Sequence, residues 1–223
     1  MKRMLIKGIT LGIAVFVLGI IVRSGPAYAD PIGGPNSNCG SCQGSIYTLS
    51  YDGIALPDAD LFHETFRITL TIDTNGYTGG GGFIDAVAIK VSSSVFSSSL
   101  FDAPGGTGNW DLVHGGINAG GCSGNGGGFD CADWVAVGAG IPIGFNGGIL
   151  SWTFNQTINN GILFTDPLTS SIKARYVNSN GRKVGALVSE NITLQQVPEP
   201  STLLLLGSGL LGLVYFGRKR IRG

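Results

Sequence analysis

The side chains best suited to chemistry in this 223-residue sequence are four cysteines, two histidines and the carboxylates. Cys39 and Cys42 form a Cys-x-x-Cys, whereas Cys122 and Cys131 stand far from them and nine positions apart. A redox role for the first pair needs a stabilised thiolate. Asn36, Asn38 and Gly40 surround it, and no helix N-terminus follows to supply that stabilisation. A four-cysteine zinc site needs close spacing in both pairs, which the second lacks. Disulfides are the expectation. Four cysteines allow three pairings, and the preferred one joins Cys122 to Cys131, since closing that short loop restrains the chain by about 2 to 3 kcal/mol. Cys39 is then left to Cys42.

Catalysis has little to stand on. His63 precedes a strand-like run and His114 lies among glycines. No nucleophile elbow, zinc-protease helix or phosphate loop is present, and Gly121-Cys122-Ser123-Gly124-Asn125 misses the elbow at its last position. Between the apolar ends the only glutamates are Glu64 and Glu190, a thin basis for a carboxylate pair. The expectation is a protein that is not an enzyme, with no catalytic residues and no cofactor. Asp58, Asp60, Asp102, Asp111, Asp130 and Asp133 are oxygen donors of the kind calcium favours. Aspartates in turns more often cap backbone amides, so no metal ligand is assigned.

The elements that must position these groups are strands. Phe66, Ile68, Leu70 and Ile72 alternate with Arg67, Thr69, Thr71 and Asp73, the period of a half-buried strand. Similar runs cover residues 46–51, 83–91, 149–154, 172–177, 184–188 and 191–195, and Asn178-Ser179-Asn180-Gly181 suits a hairpin turn. Seven or more short strands predict an all-β fold, an antiparallel β-sandwich with one sheet face in water. Residues 105–128 hold eleven glycines in twenty-four positions and read as a long surface loop.

The charges are segregated. Residues 30–196 carry six basic against thirteen acidic residues, a net of −7, while the two ends hold only basic residues apart from Glu199. An acidic body repels phosphate backbones, so nucleic acid is not an expected partner. Residues 1–29 read as a signal peptide: Lys2, Arg3 and Lys7, a fifteen-residue apolar run over 8–22, then Ala27-Tyr28-Ala29, whose Ala27 and Ala29 suit signal peptidase. An uncleaved anchor is the other reading. The domain is expected over residues 30–196.

Residues 197–223 form a tail in four parts: Val197-Pro198-Glu199-Pro200, then Ser201-Thr202, an apolar stretch over 203–216, and the basic end holding Arg218, Lys219, Arg220 and Arg222. The prolines end the globular body. Fourteen residues make about 21 Å of helix, short of a hydrocarbon core about 30 Å thick, and flanking residues bring it near the lower limit of a transmembrane helix. The basic end marks the cytoplasmic side.

This order of parts resembles the PEP-CTERM sorting signal, a tail also known as the ice-binding protein C-terminal domain. The resemblance covers residues 197 to about 222. It implies an exosortase substrate in a Gram-negative bacterium that makes extracellular polysaccharide, with Val197, Pro198, Glu199 and Pro200 as the sorting motif and the helix removed or exchanged. The expected partners are signal peptidase, an exosortase-type enzyme, the membrane through the C-terminal helix, and extracellular polysaccharide. The expected function is that of a non-catalytic exported surface or matrix protein at the cell envelope. The rival is a carbohydrate- or calcium-binding module with its site in residues 105–133 and Trp110 or Trp134 as a stacking platform.

Overall fold

The structure, a computed structural model, describes residues 31–33, 39–51, 55–56, 62–92, 95–123, 126–159 and 170–196. In chain order the strands are β1 (Ile32–Gly33), β2 (Ile46–Tyr51), β3 (His63–Asp73), β4 (Phe83–Lys90), β5 (Val95–Asp102), β6 (Trp110–His114), β7 (Ile117–Asn118), β8 (Gly121–Cys122), β9 (Asp130–Trp134), β10 (Ile141–Pro142), β11 (Ile149–Asn159), β12 (Ser171–Val177), β13 (Val188–Asn191) and β14 (Leu194–Gln196). Among the described residues there is no α-helix. The expected signal and tail helices lie outside them, as do Ala27, Ala29 and Val197 to Pro200.

The strands form two six-stranded sheets and a small hairpin. The first sheet runs β1-β2-β3-β11-β5, with β14 also on β2; the second runs β13-β12-β4-β9-β6, with β10 also on β4. Strand β3 pairs along its whole length with β11, Leu70 opposite Trp152 and Ile68 opposite Phe154. From Phe66 to Asp73 the apolar residues of β3 are buried and their polar neighbours half-buried, and β11 alternates likewise from Leu150 to Ile158, with Gln156 in one of the buried places. The two sheets share one core, built from Ile68, Leu70, Trp152 and Phe154 on one side and Ile84, Val87, Ile89 and Tyr176 on the other. Each such side chain contributes about 1.5–3 kcal/mol by leaving water. Trp110 of β6 meets Trp152 of β11 edge to face at 5.4 Å, an aromatic contact between the layers.

Among the described residues pairing is antiparallel except at one place: β14 lies parallel to β2. The glycine-rich segment departs further from expectation. Instead of a surface loop, residues 105–128 contain β6 and the β7–β8 hairpin, and the hairpin covers the outer face of the second sheet. Ile117 packs there with Ala86, Ala88 and Cys131 in a second, smaller cluster. Strand β4 is therefore buried on both faces, with six consecutive buried residues from Ile84 to Ile89. Its register against β12 slips between Ala86 and Ile84, leaving Asp85 as the extra residue of a bulge. Gly121 occupies φ +119°, and a Cβ there would stand 3.1 Å from the Asp133 carboxylate, so the hairpin's return strand needs glycine.

Two strand expectations shift. The turn at residues 178–181 forms, with the Gly181 amide donating to the Asn178 carbonyl, but only Lys183 bridges back before β13 begins at Val188. Strand β5 was not anticipated, because its sequence alternates poorly.

Candidate functional site

Strand β5 ends the first sheet and β6 ends the second. Between them opens a cleft of about 330 Å³, lined by Phe96 and Ser97 of β5, His114 of β6, Asp130 of β9 and the glycine turn at residues 126–128. Asp130 is pinned at this rim. The Nδ1 nitrogen of His114 lies 2.7 Å from its Oδ1, with the imidazole 69% exposed and the carboxylate 4% exposed. Gln156, fully buried, donates from Nε2 to its Oδ2 at 2.5 Å. The carboxylate thereby satisfies two donors and fixes the ring's orientation, directing the other imidazole nitrogen away from Asp130.

Around the corner from this cleft lies the outer face of the first sheet. Hydroxyls pair across β3 and β11 in three rungs: Thr65 with Thr157 at 2.8 Å, Thr69 with Thr153 at 3.1 Å, and Thr71 with Ser151 at 3.1 Å. The register of β5 against β11 slips twice, leaving Phe96 and Phe101 as extra residues. Their rings reach β3, two strands away. Phe96 stacks on His63 with centroids 4.1 Å apart, and the Arg67 guanidinium carbon sits 3.7 Å above the Phe101 ring. The phenylalanines remain 67% and 49% exposed.

The other sequence-selected residues are spread over the fold. Cys39 is bonded to Cys42 and Cys122 to Cys131, with Cα separations of 5.4 and 5.9 Å. The second bridge ties β8 to β9 and holds the hairpin down. Arg175 of β12 adds a second fastening: Nε donates to Asp85 Oδ1 at 2.8 Å, Nη2 to Asp85 Oδ2, and Nη1 to the Ala119 carbonyl at 2.8 Å. The bond to Asp85 raises the guanidinium pKa, which keeps the charge in place. Asp133 accepts from the Cys122 amide at 3.3 Å. Burial pushes its carboxyl up, against that amide, and its neighbours Asp85 and Asp111 push the same way.

Asp102 caps the Ala103 amide at 2.9 Å, the turn-capping role expected of such residues. Asp111 stands opposite Asp133 across β6 and β9, and Asp58 and Asp60 lie outside the described residues. Among the described residues no three His, Cys, Asp or Glu side chains gather as a metal site would require. Glu64 lies in the first sheet opposite Ile158, while Glu190 of the second sheet accepts from the Ser41 hydroxyl. The two glutamates are thus on different sheets. Trp110 is no stacking platform. It is 4% exposed, and its indole N–H donates to the Pro104 carbonyl at 3.0 Å. Phe62, Phe96, Phe101 and Phe145 are exposed, and the pair on β5, Phe96 and Phe101, is one that sequence reasoning missed. Their signal was two phenylalanines bracketing a serine run.

These features define an all-β, disulfide-bonded body that ends where the proline-led tail begins. The family model of the PEP-CTERM protein-sorting motif matches residues 196–220. That match makes the chain an exported, envelope-associated bacterial protein processed by an exosortase-type enzyme. No curated protein and no solved structure matches the chain.

Proposed function

We propose that the chain is a non-catalytic surface or extracellular-matrix protein of a Gram-negative bacterium. In this reading residues 1–29 are a signal peptide cut after Ala29. The apolar stretch at 203–216 holds the body at the membrane until the exosortase-type enzyme acts at Val197 to Pro200. The observation that carries it is the motif match over residues 196–220. Two disulfides support it, since such bonds persist in oxidising compartments outside the cytoplasm. The test is mass spectrometry of the mature protein from its host. An N-terminus at Asp30 and loss of the basic end are expected; a chain intact from Met1 to Gly223 overturns the reading. Substituting Pro198→Ala with Glu199→Ala should leave the tail uncut.

A second reading, a carbohydrate-binding module, is favoured by one feature: solvent-exposed phenyl rings on a hydroxyl-bearing sheet face. Calcium gains no such support, because Asp102, Asp130 and Asp133 each serve a separate amide or side-chain donor.

A further inference from the structure

We propose that the outer face of the first sheet binds a neutral, extended glycan along β5, between Phe96 and Phe101. The proposal rests on the binding-module reading and names its surface and ligand class.

The register of β5 carries the argument. Phe96 and Phe101 are five positions apart, and in an unbroken strand they would face opposite sides. The two bulges place both on the outer face, where each ring is seated on a residue of β3. Exposed phenyl rings lose favourable burial in water, at about 25 cal/mol for each Å² left uncovered. Here that exposure is combined with fixed ring planes, because the His63 stack and the Arg67 cation hold each ring from one side. A ligand meeting such rings forfeits little side-chain freedom.

Between and beside the rings the surface offers hydroxyls. A hydroxyl has one donor and two acceptor sites, so each Thr–Thr or Thr–Ser rung keeps hydrogen-bonding capacity after its cross-strand bond. The complementary ligand has flat C–H faces for the rings and a rim of hydroxyls for the rungs, which describes a pyranose. The rings are seated on His63 and Arg67, four positions apart on β3, a span of about 13 Å at 3.3 Å per residue, longer than one sugar ring, so the ligand is a chain. Its neutrality follows from charge. Arg67, the one guanidinium on this face among the described residues, sits over Phe101, and the body's net charge of −7 disfavours polyanions.

The test is affinity electrophoresis of the full-length protein in mild detergent, through gels containing laminarin, dextran or hydroxyethylcellulose, with alginate as the anionic comparison. Retardation by at least one neutral glucan is expected. Phe96→Ala and Phe101→Ala should each weaken it about tenfold, with thermal midpoints unchanged because both rings are exposed. Retardation that both variants retain overturns this surface and leaves the module reading standing. Retardation by alginate alone overturns the neutral ligand class. No retardation in any gel overturns both the surface and the module reading.

Discussion

Tyr176 shows how one buried side chain sets a pH limit on the whole body. Its hydroxyl lies 2.8 Å from both the Ser45 and Tyr47 hydroxyls, deep between the sheets. Burial pushes the Tyr176 phenol up to about 12, and burial, then the charge of Tyr176, raises that of Tyr47 well above the ordinary value. A phenol whose folded pKa exceeds its unfolded value of about 10 stabilises fully below pH 10, and that stability is lost as pH climbs towards 12. Urea midpoints should therefore stay flat to about pH 10 and fall beyond it. Tyr176→Phe should cost about 1–3 kcal/mol at neutral pH by leaving its partners short of a hydrogen bond, and should flatten the alkaline decline. A steep decline unchanged by that substitution would assign the alkaline loss to other groups. None of this was legible in the sequence, because Tyr47 and Tyr176 are 129 positions apart and meet only where the two sheets pack face to face. The cysteines were legible, since spacing and export alone favoured short-range bridges.

At the scale of elements, the β7–β8 hairpin is the least expected part. Its glycines announced a loop, yet three ties fasten it: the Cys122–Cys131 bond, the Arg175 donation to Ala119, and the Asp133 acceptance from Cys122. Removing Cys122 and Cys131 together as alanines should cost about 2.5 kcal/mol, against about 1.5 for Cys39 and Cys42, by the entropy of the loops closed. Paired urea titrations of the two double variants would check the order. Asp85→Ala should cost about 3–5 kcal/mol, because it strands a buried guanidinium. Hydrogen exchange at residues 117–122 should quicken in that variant before it quickens in β3 or β11. Equal acceleration everywhere would show that the hairpin has no local stability of its own. Strand β5 escaped detection for a related reason. Its two bulges break the period of two on which strand recognition depends, and the residues they displace are the exposed phenylalanines. Strand β3 was legible because eight of its residues keep strict alternation.

For the molecule as a whole, the all-β architecture of antiparallel sheets followed from alternation and turn chemistry, while the identity of the residues that join the layers did not. Trp110 illustrates the gap: a tryptophan among glycines looked like a surface platform and is instead part of the core joining the layers. Trp110→Ala should cost about 3–5 kcal/mol, visible as a lower thermal midpoint with the same cooperative transition. The sorting tail was the most legible part of all, since it is read as a linear motif and needs no folded partner. The body supplies its mounting. Strands β1 and β14 both pair with β2, so the chain enters and leaves the fold beside one strand. The last described residue, Gln196, stands in register with Tyr51, immediately before the prolines. A pull on the tail is therefore delivered along β14 and loads its hydrogen bonds to β2 in shear. Those bonds span three residues, against eleven in the β3–β11 ladder. The shorter ladder is expected to part first under load, which force spectroscopy through the tail would read as a small extension before the main unfolding event.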